Sequence, residues 1–297
     1  MARVFLTHTP DMLAKYYGPR ALAALEDIAE VQVNPSEQPL DADALVKHIA
    51  GCDFVVSDRQ TPGPAAVFER APDLVAFLRC AVDIRNIDVE AASRAGVLVT
   101  RATPGFGAAV AELGLGFMID LARGVSSSVL AYRSGQVPDP GMGRQLQGST
   151  MGIIGYGEIG RRMAGFGRAL GMTVLVNDPY KTIDAEGIEQ VDLDDLLARS
   201  HFVVCLAVAT PETENLMEAS AFRRMRNDGF FINLSRGNLV DEAALAAALD
   251  AGEIAGAALD VGRAADQMPS PDLARRSDVV ATPHLAGLTP TAVEHQA

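Results

Sequence analysis

Thr150-Met151-Gly152-Ile153-Ile154-Gly155-Tyr156-Gly157-Glu158-Ile159-Gly160 is the stretch on which the fold turns. Residues 150–154 read as a short buried strand, 155–160 as G-x-G-x-x-G, and 161–170 as a helix. In that context Gly155 makes the tight turn, Gly157 lets backbone approach a phosphate, and Gly160 lets helix and strand pack closely. The helix N-terminus then faces the anion. About half of the 297 residues precede the motif, so another domain must be built first.

Working outward, Asp178 follows Gly160 by 18 residues, at the end of the next strand pattern. A carboxylate there accepts hydrogen bonds from the adenosine ribose hydroxyls and repels a 2′-phosphate, which favours NAD over NADP. Upstream, apolar runs at 4–6, 31–33, 54–56, 74–78 and 97–99 alternate with helical patterns at 21–29, 41–50, 65–69 and 89–95. Residues 103–107 break the rhythm, a long helix is predicted over 108–122, and 126–149 lacks periodicity and reads as an extended arm. Six strands are predicted downstream, at 150–154, 173–176, 202–208, 230–234, 256–259 and 279–280. The alternation predicts an α/β protein with two doubly wound parallel sheets.

Composition narrows the function. Asp and Glu number 38 against 25 Lys and Arg, a formal charge of −13, which argues against general affinity for nucleic acid or anionic membrane. Cys52, Cys80 and Cys205 are scattered through apolar stretches and read as buried free thiols of a reducing compartment. No apolar run approaches the ~20 residues of a membrane helix, and residues 1–8 are too briefly apolar for a signal peptide. A soluble cytoplasmic protein is expected. No H-x-x-x-H or C-x-x-C cluster is present, so no metal is expected.

Three later segments follow strands and so fall at strand carboxyl ends, where open α/β sheets form their ligand crevice. They are Asn233-Leu234-Ser235-Arg236-Gly237, Ala258-Leu259-Asp260-Val261 and Thr282-Pro283-His284-Leu285-Ala286-Gly287. An arginine so placed can fork onto a carboxylate or carbonyl oxygen. A histidine can protonate an alkoxide, because imidazole titrates near neutral pH.

With Asn86-Ile87-Asp88, Val110-Ala111-Glu112 and Thr210-Pro211-Glu212-Thr213, these motifs form an ordered set across nearly the whole chain. The sequence resembles the D-isomer-specific 2-hydroxyacid dehydrogenase family. The resemblance implies a flavodoxin-like substrate domain over 1–101 plus 288–297, a Rossmann NAD domain over 102–287, and an active-site cleft between them. It implies that Arg236 binds and polarises a 2-oxo acid, that His284 is the general acid/base, and that Asp260 lies near the nicotinamide carboxamide. Backbone amides of Glu158 and Ile159 would meet the pyrophosphate, and Leu234 and Ser235 would lie under the nicotinamide. A homodimer joined through the helix from Ala108 and the arm to Ser149 is also implied, as is a full helix after the His284 loop, where the sequence ends at Ala297.

The chain departs from the family pattern in two places that bear on chemistry. The glutamate that orients the histidine is Ala265 in ungapped register, with Asp266 one residue later and one methylene shorter. Asp266 replaces it if the loop shifts register; otherwise His284 lacks a charged orienter. In Cys80-Ala81-Val82-Asp83-Ile84-Arg85-Asn86, Asp83 stands where the family carries a second glycine in a loop that faces an anion. Arg85 could offset that charge, and Arg59 is a further candidate for a distal anionic group. Two other functions remain open at this point: an NAD-binding regulatory or interaction protein without turnover, and NAD-dependent oxidation of another small anion such as formate or phosphite.

Overall fold

Val4-Phe5-Leu6, Phe54-Val55-Val56 and Ile153-Ile154 are continuous apolar runs, as strands covered on both faces require. In the computed structural model, which describes Met1–Ala297, each lies inside a parallel sheet. The first unit comprises Met1–Phe106 with Leu288–Ala297. Its elements are β1 (Ala2–Leu6), α1 (Pro10–Tyr16), α2 (Pro19–Glu26), β2 (Ala29–Val33), α3 (Ala42–His48), β3 (Phe54–Ser57), α4 (Ala65–Arg70), β4 (Ala76–Arg79), α5 (Val89–Arg94) and β5 (Leu98–Arg101). All neighbours are parallel in the order β2-β1-β3-β4-β5, which reverses direction between β1 and β3.

The second unit, Gly107–Gly287, begins with α6 (Gly107–Arg123) and α7 (Val125–Arg133). It continues through β6 (Thr150–Ile154), α8 (Glu158–Ala169), β7 (Thr173–Asn177), β8 (Ile188–Gln190), α9 (Leu193–Arg199), β9 (Phe202–Cys205), α10 (Ala219–Arg224) and β10 (Phe230–Asn233). It closes with α11 (Glu242–Asp250), β11 (Gly256–Leu259), α12 (Pro271–Ala274) and β12 (Val279–Ala281). The parallel sheet runs β12-β11-β10-β9-β6-β7-β8 and reverses at β6/β9, so the loop after β6 opens at the switch point. One face of this sheet packs Phe222, Phe231, Leu245 and Leu196, all fully buried. Truncating one such phenylalanine to alanine costs about 3–5 kcal/mol. The last helix, α13 (Pro290–Gln296), belongs to the first unit.

The differences from the sequence reading have local causes. Helix α1, not expected from sequence, contains no fully buried residue; Thr9 caps it, accepting from Met12 N at 3.3 Å, and Pro10 sits in its first turn. Helix α7 occupies the first part of the stretch expected to be an extended arm, and it too buries nothing. The helix expected over 21–29 is Pro19–Glu26, because Ala29 already pairs with Ala2 in the sheet. Strand β8 is a three-residue edge strand and left no periodic signal. Residues 102–106 stay with the first unit, five beyond the sequence boundary: Ala102 N donates to the carbonyls of Arg79 and Ala81, and Thr103 Oγ1 bonds His295 Nε2 at 2.8 Å. All three cysteines are free; Cys52 and Cys205 are buried, whereas Cys80 is only half-buried. No helix is long and apolar enough to cross a membrane.

Candidate functional site

The loop from β6 into α8 is shaped by its three glycines. Gly155 has φ +95°, and a Cβ there would lie 2.8 Å from the backbone of Leu206 and Ala207 after β9. A Cβ on Gly160 would overlap the carbonyl oxygen of Gly155. Gly157 is different: a side chain there would meet nothing within 4 Å. The open side of the turn is therefore at Gly157, where a diphosphate needs room against backbone. The first helical bond of α8 is Arg161 N to Gly157 O, 3.1 Å. The amides of Glu158, Ile159 and Gly160 precede it, in the first turn where backbone N–H groups have no helical acceptor and can meet an anion. The Glu158 carboxylate pairs with Arg162 at 3.2 Å. This arrangement fits a dinucleotide pyrophosphate.

Asp178, just past β7, is buried and braces the turn. Its Oδ2 accepts from Tyr156 N at 2.9 Å and its Oδ1 from Tyr180 N at 3.0 Å. Each oxygen keeps a lone pair for a ribose hydroxyl. Lys181, which sequence reasoning passed over, donates from Nζ to Tyr156 O at 2.6 Å and lies 3.8 Å from Asp178 Oδ2.

Past β10, Asn233 staples its own loop: its Nδ2 donates to Arg236 O at 3.0 Å and its Oδ1 accepts from Ser235 N at 3.1 Å. Ser235 Oγ donates to the carbonyl of Ala207, and Leu234 is buried. Half-buried Arg236 has Nη1 on Ser235 O at 2.7 Å. A Cβ on Gly237 would collide with the carbonyl group of Gly262, so this turn and the loop after β11 touch backbone to backbone and only glycine fits.

Asp260, at the end of β11, is 1% exposed and holds the neighbouring loop with three acceptor bonds. Oδ1 accepts from Thr282 Oγ1 at 2.6 Å and Leu285 N at 2.9 Å, and Oδ2 from Ala286 N at 3.0 Å. The loop so gripped carries His284, whose own N–H reaches Asp260 O at 3.0 Å. His284 has φ +54°, a left-handed conformation costing a β-carbon residue about 1–2 kcal/mol. Such strain persists where surrounding bonds impose it.

The main chain of Asp266 meets this histidine. His284 Nδ1 lies 2.8 Å from the carbonyl oxygen of Asp266. A carbonyl only accepts, so Nδ1 carries the proton and Nε2 is left as the nitrogen that can take up or release one. The carbonyl is aimed by two successive left-handed residues, Asp266 at φ 57° and Gln267 at φ 60°. Gln267 Oε1 also accepts from Gly237 N at 3.3 Å, tying this turn to the Arg236 loop. Strands β10, β11 and β12 are adjacent, so Arg236, Asp260 and His284 all stand at one sheet edge.

In the first unit, Asp83 is paired with Arg85: Arg85 Nη2 lies 2.6 Å from Oδ2 and Nε 3.0 Å from both oxygens. The negative charge in this loop therefore has a guanidinium counterpart. The Arg59 guanidinium lies 6.0 Å from the centre of the Tyr16 ring. Beneath these loops is a buried polar cluster that no motif announced. Asp58 Oδ2 accepts from Thr7 Oγ1 and Thr61 Oγ1, each at 2.5 Å, and Oδ1 from Gln60 N at 2.6 Å and Thr61 N at 3.1 Å. Burial pushes the Asp58 carboxyl up, but these bonds outweigh it and hold the group below the usual carboxylate range. Arg79, 2% exposed, donates to the carbonyls of Asp58 and Thr61 and to Asn86 Oδ1. His8 lies in the same cluster, 1% exposed with Nδ1 unpartnered, and burial pushes its imidazole down to about 4.

The family model for the NAD binding domain of D-isomer specific 2-hydroxyacid dehydrogenase matches residues 115–286. A glyoxylate reductase of Korarchaeum cryptofilum is 34% identical over 276 residues, spanning 90% of this chain and 83% of that protein. A D-3-phosphoglycerate dehydrogenase of Methanocaldococcus jannaschii is 32% identical over 274 residues, spanning 91% of this chain and 52% of that protein. The chain thus spans about half the length of the phosphoglycerate dehydrogenases first among its curated relatives. Among solved structures, the TT0316 protein of Thermus thermophilus superposes with a TM-score of 0.87 at 30% identity, over 99% of this chain and 93% of that one.

Proposed function

Because this chain belongs to the D-isomer specific 2-hydroxyacid dehydrogenase family, we propose that it is an NAD-dependent reductase that interconverts small 2-oxo acids and D-2-hydroxy acids. The observation that carries this reading is the single sheet edge holding Arg236, Asp260 and His284, in the same unit as a glycine turn shaped for a diphosphate. NADH, when bound, supplies hydride to C2 of the oxo acid. Leu234 and Ser235 would floor the nicotinamide site. The Arg236 guanidinium binds the oxo acid and stabilises the oxygen that becomes negative. His284 Nε2 donates a proton to that oxygen, and the Asp266 carbonyl keeps Nδ1 as the fixed N–H through the cycle. In the oxidative direction the same nitrogen accepts the proton. Asp260 acts by shaping the His284 loop, and its remaining lone pair would be available to the nicotinamide carboxamide of a bound cofactor.

The test is NADH consumption with glyoxylate, hydroxypyruvate, pyruvate, phenylpyruvate and branched 2-oxo acids. Well-folded protein that turns over none of them refutes the reading.

We infer a homodimer through α7, which leaves Val125, Val129, Leu130 and Tyr132 exposed along one short helix. The arm after it is pinned to its own chain by Arg144 on Asp228 at 2.6 Å. Sedimentation of Leu130→Glu should give monomer where the wild type gives dimer; equal mass for both refutes the assignment. A cytoplasmic location is supported by the three free cysteines.

A further inference from the structure

The charge at the end of β7 is not the bare carboxylate that the sequence suggested. Asp178 has both oxygens engaged by backbone amides, and an ammonium group stands 3.8 Å away. The loop that carries Lys181 is held from below by Gln190. Its Nε2 donates to Asp178 O at 3.2 Å and Lys181 O at 2.7 Å, and its Oε1 accepts from Ile183 N at 2.8 Å. The main chain at Lys181 is therefore fixed, while its side chain is 44% exposed and rests on the Tyr156 carbonyl. In a doubly wound sheet with the pyrophosphate on the glycine turn, the adenosine ribose lies over the end of this strand. A lone aspartate there repels a 2′-phosphate. Here Asp178 and Lys181 together carry no net charge, and the lysine's four-carbon stem lets Nζ leave one carbonyl oxygen for a phosphate oxygen.

We propose that Lys181 lets the turn accept 2′-phosphorylated dinucleotides, NADP(H), alongside NAD(H), and that it sets the ratio between them. The inference rests on the dinucleotide-binding reading above, and the experiment separates the two.

The chain has no tryptophan, so binding is best read by calorimetry on the full chain with NADH and NADPH in parallel. The wild type should bind both, with dissociation constants within about tenfold of each other. Lys181→Ala should shift the NADPH-to-NADH affinity ratio about tenfold toward NADH, the scale of one hydrogen bond to a charged group. Lys181→Arg should preserve the ratio, and Lys181→Gln should behave as alanine does if the alanine variant folds poorly. NADPH affinity should also fall more steeply with added salt than NADH affinity, since the extra contact is a half-exposed ion pair. Tight NADH binding with NADPH more than about a hundredfold weaker, or an unchanged ratio in Lys181→Ala and Lys181→Gln, overturns the proposal while leaving the dinucleotide site standing. Failure of the folded wild type to bind either nucleotide overturns both.

Discussion

Removing the imidazole of His8 should abolish a specific acid sensitivity of the first unit. His8 is 1% exposed, and burial lowers its pKa from 6.5 to about 4. The nearby Asp58 carboxylate acts in the opposite direction and Arg79 adds to the lowering. Asp58 cannot rescue the proton, because its acceptor sites face Thr7, Gln60 and Thr61. The sign follows from proton uptake. Between pH 6.5 and about 4 the unfolded chain binds a proton at His8 and the folded chain does not, so stability falls as pH falls through that window. Below it both states are protonated and this contribution stops changing. At 1.36 kcal/mol per pKa unit, the total is about 3 kcal/mol. His8→Leu removes the titration, so its stability should vary with pH by correspondingly less across the window. Urea unfolding of wild type and variant at a series of pH values measures the difference in slope, independent of any packing offset at neutral pH. An NMR titration of the His8 ring checks the cause directly. A ring that titrates at or above 6.5, or a variant that loses as much stability as the wild type, refutes the reasoning.

Three further outcomes concern the second unit. His284→Ala and Arg236→Ala should each lower kcat by about 10²–10⁴ while circular dichroism melting and NADH binding stay near wild type; retained turnover would remove them from the mechanism. Asp260→Asn places an amide against N–H donors in a buried site, which should cost about 1–3 kcal/mol in thermal unfolding and reduce kcat by loosening the His284 loop; an unaltered melt would contradict the clamp. Asp266→Asn keeps the carbonyl and tolerates φ 57°. Its kcat should stay within about an order of magnitude of wild type if the main chain orients His284. A loss as large as that of His284→Ala would assign the orientation to the carboxylate instead.

The parts of this protein legible without coordinates share a property: their residues act near one another in the chain or repeat with a period. The glycine turn is read from six consecutive residues and its neighbours. Parallel strands such as Phe202–Cys205 announce themselves as apolar runs. Helices α1 and α7, neither of which contains a fully buried residue, left no helical pattern to read in the sequence. The loop motifs around Arg236, Asp260 and His284 could be read from sequence. Their shared sheet edge follows from the strand order, which brings segments far apart in the chain side by side.

The residues themselves dictated an α/β chain, a dinucleotide turn after β6 and a set of polar residues at strand ends, because local sterics, alternation and chain direction suffice for these. Tertiary structure alone decided which atoms meet. It set the main-chain carbonyl of Asp266 against His284 Nδ1, in a turn where Asp266 and Gln267 both take left-handed backbone. It paired Asp83 with Arg85 and buried His8 among Asp58 and Arg79. It also turned Asp178 onto the glycine loop beside Lys181. Each of these is a choice among several partners within reach, and which partner is taken depends on burial and backbone direction that only the folded chain supplies.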